Sequence, residues 1–280
     1  MKRIKFLIVI NAFYGLNVFA QATHEISVNG GGGLSTLHYK LNAGDRSGGF
    51  GGNLGVGYTY FFDYQWGIYT GAEVGFYNSK AKLDKVKAIT YNLTDIEGDR
   101  FNLHTTISGY KETQNAIFLN IPVMAHYQIN EYYILGGFKI GIPLSGKFKY
   151  DKATFLNEGY YPDLNNWGKT QEFAGYGTFA GKNSEGNIKF GVSVSFALEG
   201  GMKWFISRDL MLYSGLYFDY GLNNISKKNN PFVIYSAENP ENFSTNSVIS
   251  SYSDDNISIK FTERTYLLST GVKVRLAFGL

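Results

Sequence analysis

Apolar and polar residues alternate with a period of two through most of the chain. From Phe50 the even positions are Phe50, Gly52, Leu54, Val56, Tyr58, Tyr60 and Phe62, while the odd ones are Gly51, Asn53, Gly55, Gly57 and Thr59. Successive side chains of a strand point to opposite faces, so this spacing predicts strand with one apolar face and one small or polar face. The same reading repeats eight times, near 25–41, 47–62, 66–81, 114–129, 132–149, 188–205, 210–224 and 263–279.

The connections alternate in length. Asp63-Tyr64-Gln65, Asn130-Glu131 and Ile206-Ser207-Arg208-Asp209 read as tight turns, whereas 82–113, 150–187 and 225–262 are long; 42–46 is the one short member of that second set. Outer-membrane barrels alternate in this way, with short turns in the periplasm and long loops outside. In the sixth strand Phe190, Val192, Val194, Phe196, Leu198, Met202 and Trp204 oppose Lys189, Ser193, Ser195, Glu199 and Lys203. An apolar outside with a polar inside suits lipid, and lipid tolerates no open sheet edge. The predicted fold is all-β, a closed transmembrane antiparallel β-barrel of eight strands. A ten-stranded alternative would use an extra hairpin, because Thr90, Tyr91, Phe101, Leu103, Thr105, Ile107 and Tyr110 suggest strand within the first long loop, as do Phe232, Ile234 and Tyr235 within the last.

Ring placement is a second criterion, since interfacial aromatics belong at both rims of the apolar band. Tyr60, Phe62, Tyr64, Trp66, Tyr127, Tyr132, Tyr133, Trp204 and Phe278 fall at the turn end and form the expected girdle; Phe76, Phe148, Tyr150, Phe218, Tyr220 and Tyr266 fall at the loop end. Residues 1–22 read as a signal peptide: Lys2, Arg3 and Lys5, then an apolar stretch from Phe6 to Phe19, with cleavage expected after Ala20 or Ala22. Residues 23–280 are then one barrel domain exported to the bacterial outer membrane.

Composition narrows the chemistry. With no cysteine, disulfides, thiolate metal sites, a cysteine nucleophile and a lipidated N-terminal cysteine are all excluded. The formal charge of +3 comes from the three basic residues of the head; the remainder balances, leaving no footprint for nucleic acid. The 34 glycines include Gly30 to Gly33 and Gly49, Gly51, Gly55 and Gly57, but alternation continues on both sides where a phosphate loop would need a helix. They read as relief of crowding in a narrow, curved barrel.

The segment Ala116–Tyr127, AIFLNIPVMAHY, followed by a tight turn and Tyr132–Leu144, YYILGGFKIGIPL, resembles the outer-membrane β-barrel family that includes PorT-like proteins, related in architecture to the OmpA barrel domain and OmpX. That family commonly has an acidic residue before Ile-Pro-Leu, where this chain has Asn120 before Ile121-Pro122-Val123, and such barrels often end in an aromatic, where Phe278 here precedes Gly279-Leu280. The resemblance implies an outer-membrane location in contact with lipid. It implies no shared chemistry, because the family hosts scaffolds, surface proteins and secretion-system components.

Glu73, Lys139, Glu199, Lys203, Asp219, Lys273 and Arg275 fall on the inward face. Counted from the turn ends, Glu73, Lys139, Glu199 and Lys273 share one level. Such a set forms either a charged constriction that gates ions or a salt-bridged plug, and the plug is preferred because an eight-stranded interior is only wide enough for side chains to fill it. Of the histidines His24, His38, His104 and His126, only His104 lies in a loop with candidate partners, Asp95, Glu97, Asp99, Ser108 and Ser79, for a surface hydrolase. Asp95-Ile96-Glu97-Gly98-Asp99 and Asp254-Asp255-Asn256 lack the ligand spacing of an EF-hand loop and read as solvated turns, so neither a metal nor a cofactor is expected.

Connections this long are usually functional or disordered. The expected role is non-enzymatic: a barrel anchoring loops 82–113, 150–187 and 225–262 that bind a surface or envelope partner, with Tyr160, Tyr161, Trp167 and Tyr176 suited to recognition or to packing on each other. A narrow channel for ions or small solutes is the alternative, and surface hydrolysis at His104 the third.

Overall fold

The structure is a computed structural model that describes residues 23–150, 153–181, 184–227, 230–252 and 261–280. The signal-peptide reading of residues 1–22 and the acidic run Asp254-Asp255 lie outside the described residues. Eight long strands form the wall: β1 (Thr23–Leu41), β2 (Phe50–Phe61), β3 (Trp66–Leu83), β4 (Tyr110–Ile129), β5 (Tyr132–Tyr150), β6 (Ser193–Phe205), β7 (Leu210–Gly221) and β8 (Thr262–Gly279). Each pairs antiparallel with its sequence neighbour, and β8 returns to β1 along Glu25↔Gly279 to Leu41↔Thr262, so the ring closes without a free edge.

Strand stagger fixes the width of the bore. Following paired residues round the ring from Glu25 through Thr59, Tyr69, Met124, Gly137, Ala197, Asp219 and Ser269 leads back to Ser35, ten positions further along β1. Strand number and this shear together set tilt and diameter, and eight strands leave an interior that side chains fill. Glycines make the fit possible: a Cβ on Gly57 would lie 2.4 Å from Cε2 of Tyr69, whose ring lies across that position from β3.

The tight turns have local causes. Asp63 accepts the backbone N–H groups of Gln65 and Trp66 at 2.7 and 2.6 Å, closing the turn before β3. Asn130 takes a left-handed φ of 53° in the two-residue turn between β4 and β5, a conformation asparagine tolerates.

A transmembrane strand needs about 9–11 residues. β4 has 20 and β5 has 19, so their upper halves project beyond the bilayer. There they support a head built from the long loops. Val86–Thr94 and Arg100–Ser108 form a hairpin whose second strand pairs with Thr154–Tyr161, and short strands at Asn166–Gly168 and Gly177–Ala180 complete a separate five-stranded sheet. The first long loop is therefore stranded, but its hairpin does not enter the ring, and the ten-stranded alternative is set aside.

Two assignments of facing are corrected. Alternation slips by one residue around Gly191, whose N–H is bonded to Ile225 rather than to a neighbouring strand, so Phe190 is buried against Phe118 while Lys189 is exposed. Phe148 and Tyr150 point into the barrel mouth, not to a lipid rim: they join an apolar core that continues from Phe118 upward to Phe232 and Ile249 of the last loop.

Candidate functional site

The lower lumen holds a continuous chain of charges. Lys139 on β5 lies 2.9 Å from Asp219 on β7 and 3.0 Å from Glu73 on β3. Glu73 also meets Lys273 of β8, which lies 3.5 Å from Glu199 of β6, and Glu199 meets Arg275 of β8. Three carboxylates and three cations thus alternate without net charge, all buried. None of the contacts joins adjacent strands: Glu73–Lys273 skips two strands of the ring and each of the others skips one. The Arg275 guanidinium lies 4.4 Å from the ring centre of Tyr69, with Tyr213 and Tyr133 at 5.4 and 5.8 Å, an aromatic enclosure that stabilises a buried cation.

Lys203 stands apart from this chain. It lies 3.2 Å from Glu25, which also accepts the hydroxyl of Tyr213 at 2.9 Å. Glu25 was not among the expected lumen charges, although its parity with Ser27 and Asn29, opposite Ile26 and Val28, carries that signal. Tyr133 is corrected: adjacent residues on a strand face opposite ways, so Tyr132 is exposed while Tyr133 turns inward and donates to Glu199 at 3.0 Å. Of the other girdle residues, Phe62, Trp66, Tyr132, Trp204 and Phe278 are exposed, Tyr60 and Tyr127 are partly exposed on the same outer face, and Tyr64 lies in the turn.

Above the charges the bore is closed by the apolar core and by the last loop. Glu112 of β4, beyond the bilayer, holds that loop in place. Its carboxylate accepts the hydroxyl of Tyr110 at 2.6 Å, the amide of Gln114 at 2.8 Å, the N–H of Val248 at 3.1 Å and the hydroxyl of Ser247. No cation pairs with it among the described residues, and burial raises its pKa despite these donors. Sequence reading began this strand at residue 114 and so missed it.

The head carries a cleft of about 460 Å³ at its far end. Tyr176 and Gly168 line it, and the Tyr176 ring lies on the cross-strand glycine pair Gly159↔Gly168; a Cβ on either glycine would come within 2.3 or 2.5 Å of that ring. Tyr176 shares a 2.8 Å hydrogen bond with Tyr161, which donates to Asp95 at 2.9 Å. Phe101 supports Tyr161, Tyr176 and Tyr235 from beneath, with ring centres 5.5, 5.7 and 5.1 Å away. Burial raises the pKa of Tyr235 to about 12. At the rim, Phe173 is 76% exposed and Ile96 81% exposed. Phe173 sits in a 3-10 turn, Glu172–Ala174, ended by Gly175 at φ 82°, where a side chain would also strike the Pro240 carbonyl oxygen.

The residues considered for hydrolysis do not converge. His104 packs edge-on against Trp167 at 4.9 Å and pairs across the sheet with Glu158, and burial lowers its pKa. Ser79 is buried in the barrel and donates to Gln114 at 2.5 Å. Asp95, Glu97 and Asp99 do cluster, yet Asp95 accepts the N–H groups of Glu97 and Asp99 at 3.0 and 2.9 Å, the arrangement of a self-bonded turn. Among the remaining histidines, His24 contacts the Tyr58 hydroxyl at 2.5 Å, His38 faces Arg46 at 3.3 Å, and His126 is buried among Phe61, Tyr133 and Tyr213.

A closed antiparallel ring with a lipid-facing apolar wall and a charged interior defines an integral outer-membrane barrel. Residues 19–227 match the outer membrane protein beta-barrel domain, and the chain belongs to that family. Similar solved structures include Ail, the attachment invasion locus protein of Yersinia pestis, in complex with the heparin analogue sucrose octasulfate (9% identity, 92% of this chain and 99% of that one, TM-score 0.31). A major outer membrane protein from Thermus thermophilus is similar at 15% identity over 92% and 99% of the two chains, with a TM-score of 0.33. Neisserial surface protein A is similar at 7% identity over 91% and 97%, with a TM-score of 0.31. Among curated proteins none matches.

Proposed function

We propose that the barrel is a sealed anchor whose task is to present the head, and that the cleft of the head binds an apolar or aromatic group of a surface or envelope partner. The observation that carries this reading is the contrast between the two ends of the molecule: the bore is filled by paired charges and an apolar core, while Phe173 and Ile96 stand exposed at the rim of an aromatic cleft. Exposed apolar groups around a cleft mark recognition surfaces more often than scattered single residues do. The role is non-enzymatic, since His104 is held by Trp167 and not by a nucleophile. A narrow channel would require the charge chain to part, and nothing in its spacing favours that. The PorT-like resemblance, carried by the segments Ala116–Tyr127 and Tyr132–Leu144, belongs to the same reading of a surface-directed scaffold.

The test is a photo-crosslinking residue at position 173 on intact cells, with position 87, on the head away from the cleft, as control. A discrete adduct at 173 that is lost in an Ile96→Ser background supports the reading. Identical adduct patterns at both positions would remove it.

A further inference from the structure

The outer surface of β3, β4 and β5 changes character within three rows of residues. Phe76 pairs with Ile117 at the top of the apolar band. One row higher runs Asn78↔Asn115↔Lys147↔Asn187, then Ser47↔Lys80↔Thr113↔Lys149↔Glu185, then Asp45↔Lys82↔Lys111. Lys80, Lys82, Lys111, Lys147 and Lys149 are all exposed, and none forms an ion pair among the described residues. The acidic residues in these rows are Asp45 and Glu185.

Two features mark this patch as a site. Lys82 stands directly opposite Lys111, and like charges in that position destabilise a sheet unless an anion lies between them. The patch also faces one direction. On the far side of the barrel the upper outer wall carries Tyr220, Leu222 and Tyr266; Lys40 there is paired with Glu263 at 2.9 Å, and the exposed Arg264 donates to the Leu222 carbonyl oxygen at 2.7 Å. With strands about 4.8 Å apart and rows about 7 Å apart, the five ammonium groups cover an area close to that of one multiply charged headgroup. Their stems can run along the apolar surface so that the charges reach down to the membrane interface.

We propose that this lysine face binds the phosphate groups of a phosphorylated outer-leaflet lipid. Its height selects this occupant: the lowest lysine row lies one pair above Phe76 and Ile117, so a lipid whose chains cover those residues brings its headgroup to Lys147, Lys80 and Lys149. The bilayer also holds such headgroups beside the wall permanently, whereas a dissolved anion meets exposed lysines only under salt screening. The bound lipid fixes the orientation of the barrel about its axis and gives β3 to β5, which carry the head, a firm footing in the membrane.

The test uses the folded full barrel in phosphatidylcholine nanodiscs containing a bis-phosphorylated glycolipid or its dephosphorylated form, with retained lipid counted by native mass spectrometry. Each lysine at an anionic surface is worth about a fivefold gain in affinity. Wild-type protein should keep the phosphorylated lipid preferentially. The variant K80Q/K82Q/K111Q/K147Q/K149Q, checked for folding by its heat-dependent gel shift, should lose at least about tenfold, while K40Q should not. Equal retention of both lipids, an unchanged five-lysine variant, or an equal loss in K40Q would overturn the proposal. Displacement of the lipid by millimolar inorganic phosphate would also overturn it, because the site would then be one for small anions.

Discussion

Lys139 lies 3.0 Å from Glu73 across the bore, with both side chains buried. The two residues stand on strands separated by β4, so the contact ties together parts of the wall that share no backbone hydrogen bonds. Burial makes each charge depend on its partner, because an isolated ion in a medium this dry is strongly destabilising.

Neutralising Glu73 should therefore weaken the barrel more than neutralising any exposed acid. Glu73→Gln leaves Lys273 with only Glu199 and leaves Lys139 with only Asp219. The expected cost is about 3–5 kcal/mol, read as a lower urea midpoint for the heat-dependent gel shift. The exposed control Glu263→Gln should shift it by less than about 1 kcal/mol.

Glu112 gives the last loop a dependence on pH. Its folded pKa is raised by burial, so between the unfolded and folded values the closed loop holds the proton more tightly than the open chain does. The stabilising contribution is complete below the unfolded value of about 4.3 and is lost as pH rises through the folded one. Hydrogen exchange of residues 244–251 should accordingly slow on acidification across that window, after correction for intrinsic rates. Glu112→Gln should flatten the dependence. Glu112→Ala should open the loop by about 1–3 kcal/mol at every pH, because four donors lose their acceptor.

His104 should prove structural. His104→Ala removes the edge contact with Trp167 and is expected to cost about 0.5–1.5 kcal/mol locally, visible as a red shift of tryptophan emission. Any lipid or peptide hydrolysis measured at the cell surface should be unchanged by it.

Gly57 should tolerate no side chain. The Tyr69 ring occupies the space a Cβ would need, so Gly57→Val should stop the barrel from folding, while Gly57→Ala combined with Tyr69→Ala should restore part of the yield.

Much of this architecture is legible from period-two alternation, because lipid on one side and a packed bore on the other impose opposite chemistry on neighbouring residues. The inward charges follow from parity alone. Parity fails where a strand loses regular pairing: the slip at Gly191 reverses Lys189 and Phe190, and a girdle assembled from ring content rather than parity wrongly included Tyr133. The head was less legible because its sheet joins two different loops, through pairs such as Thr105↔Asn157, whose partners lie far apart in sequence. Local pattern shows that Phe101, Leu103 and Ile107 belong to a strand, but it does not say which strand they meet. The cleft depends on that pairing and on Tyr176 folding back over Gly159, and neither leaves a periodic signal.

Single-channel conductance of the folded protein in a planar bilayer tests the sealed anchor most directly. Protein verified by its gel shift should insert and remain silent. Reproducible discrete openings that vanish on altering Glu73, Lys139, Glu199 or Lys273 would contradict the plug and make the lumen, not the head, the working part of the molecule.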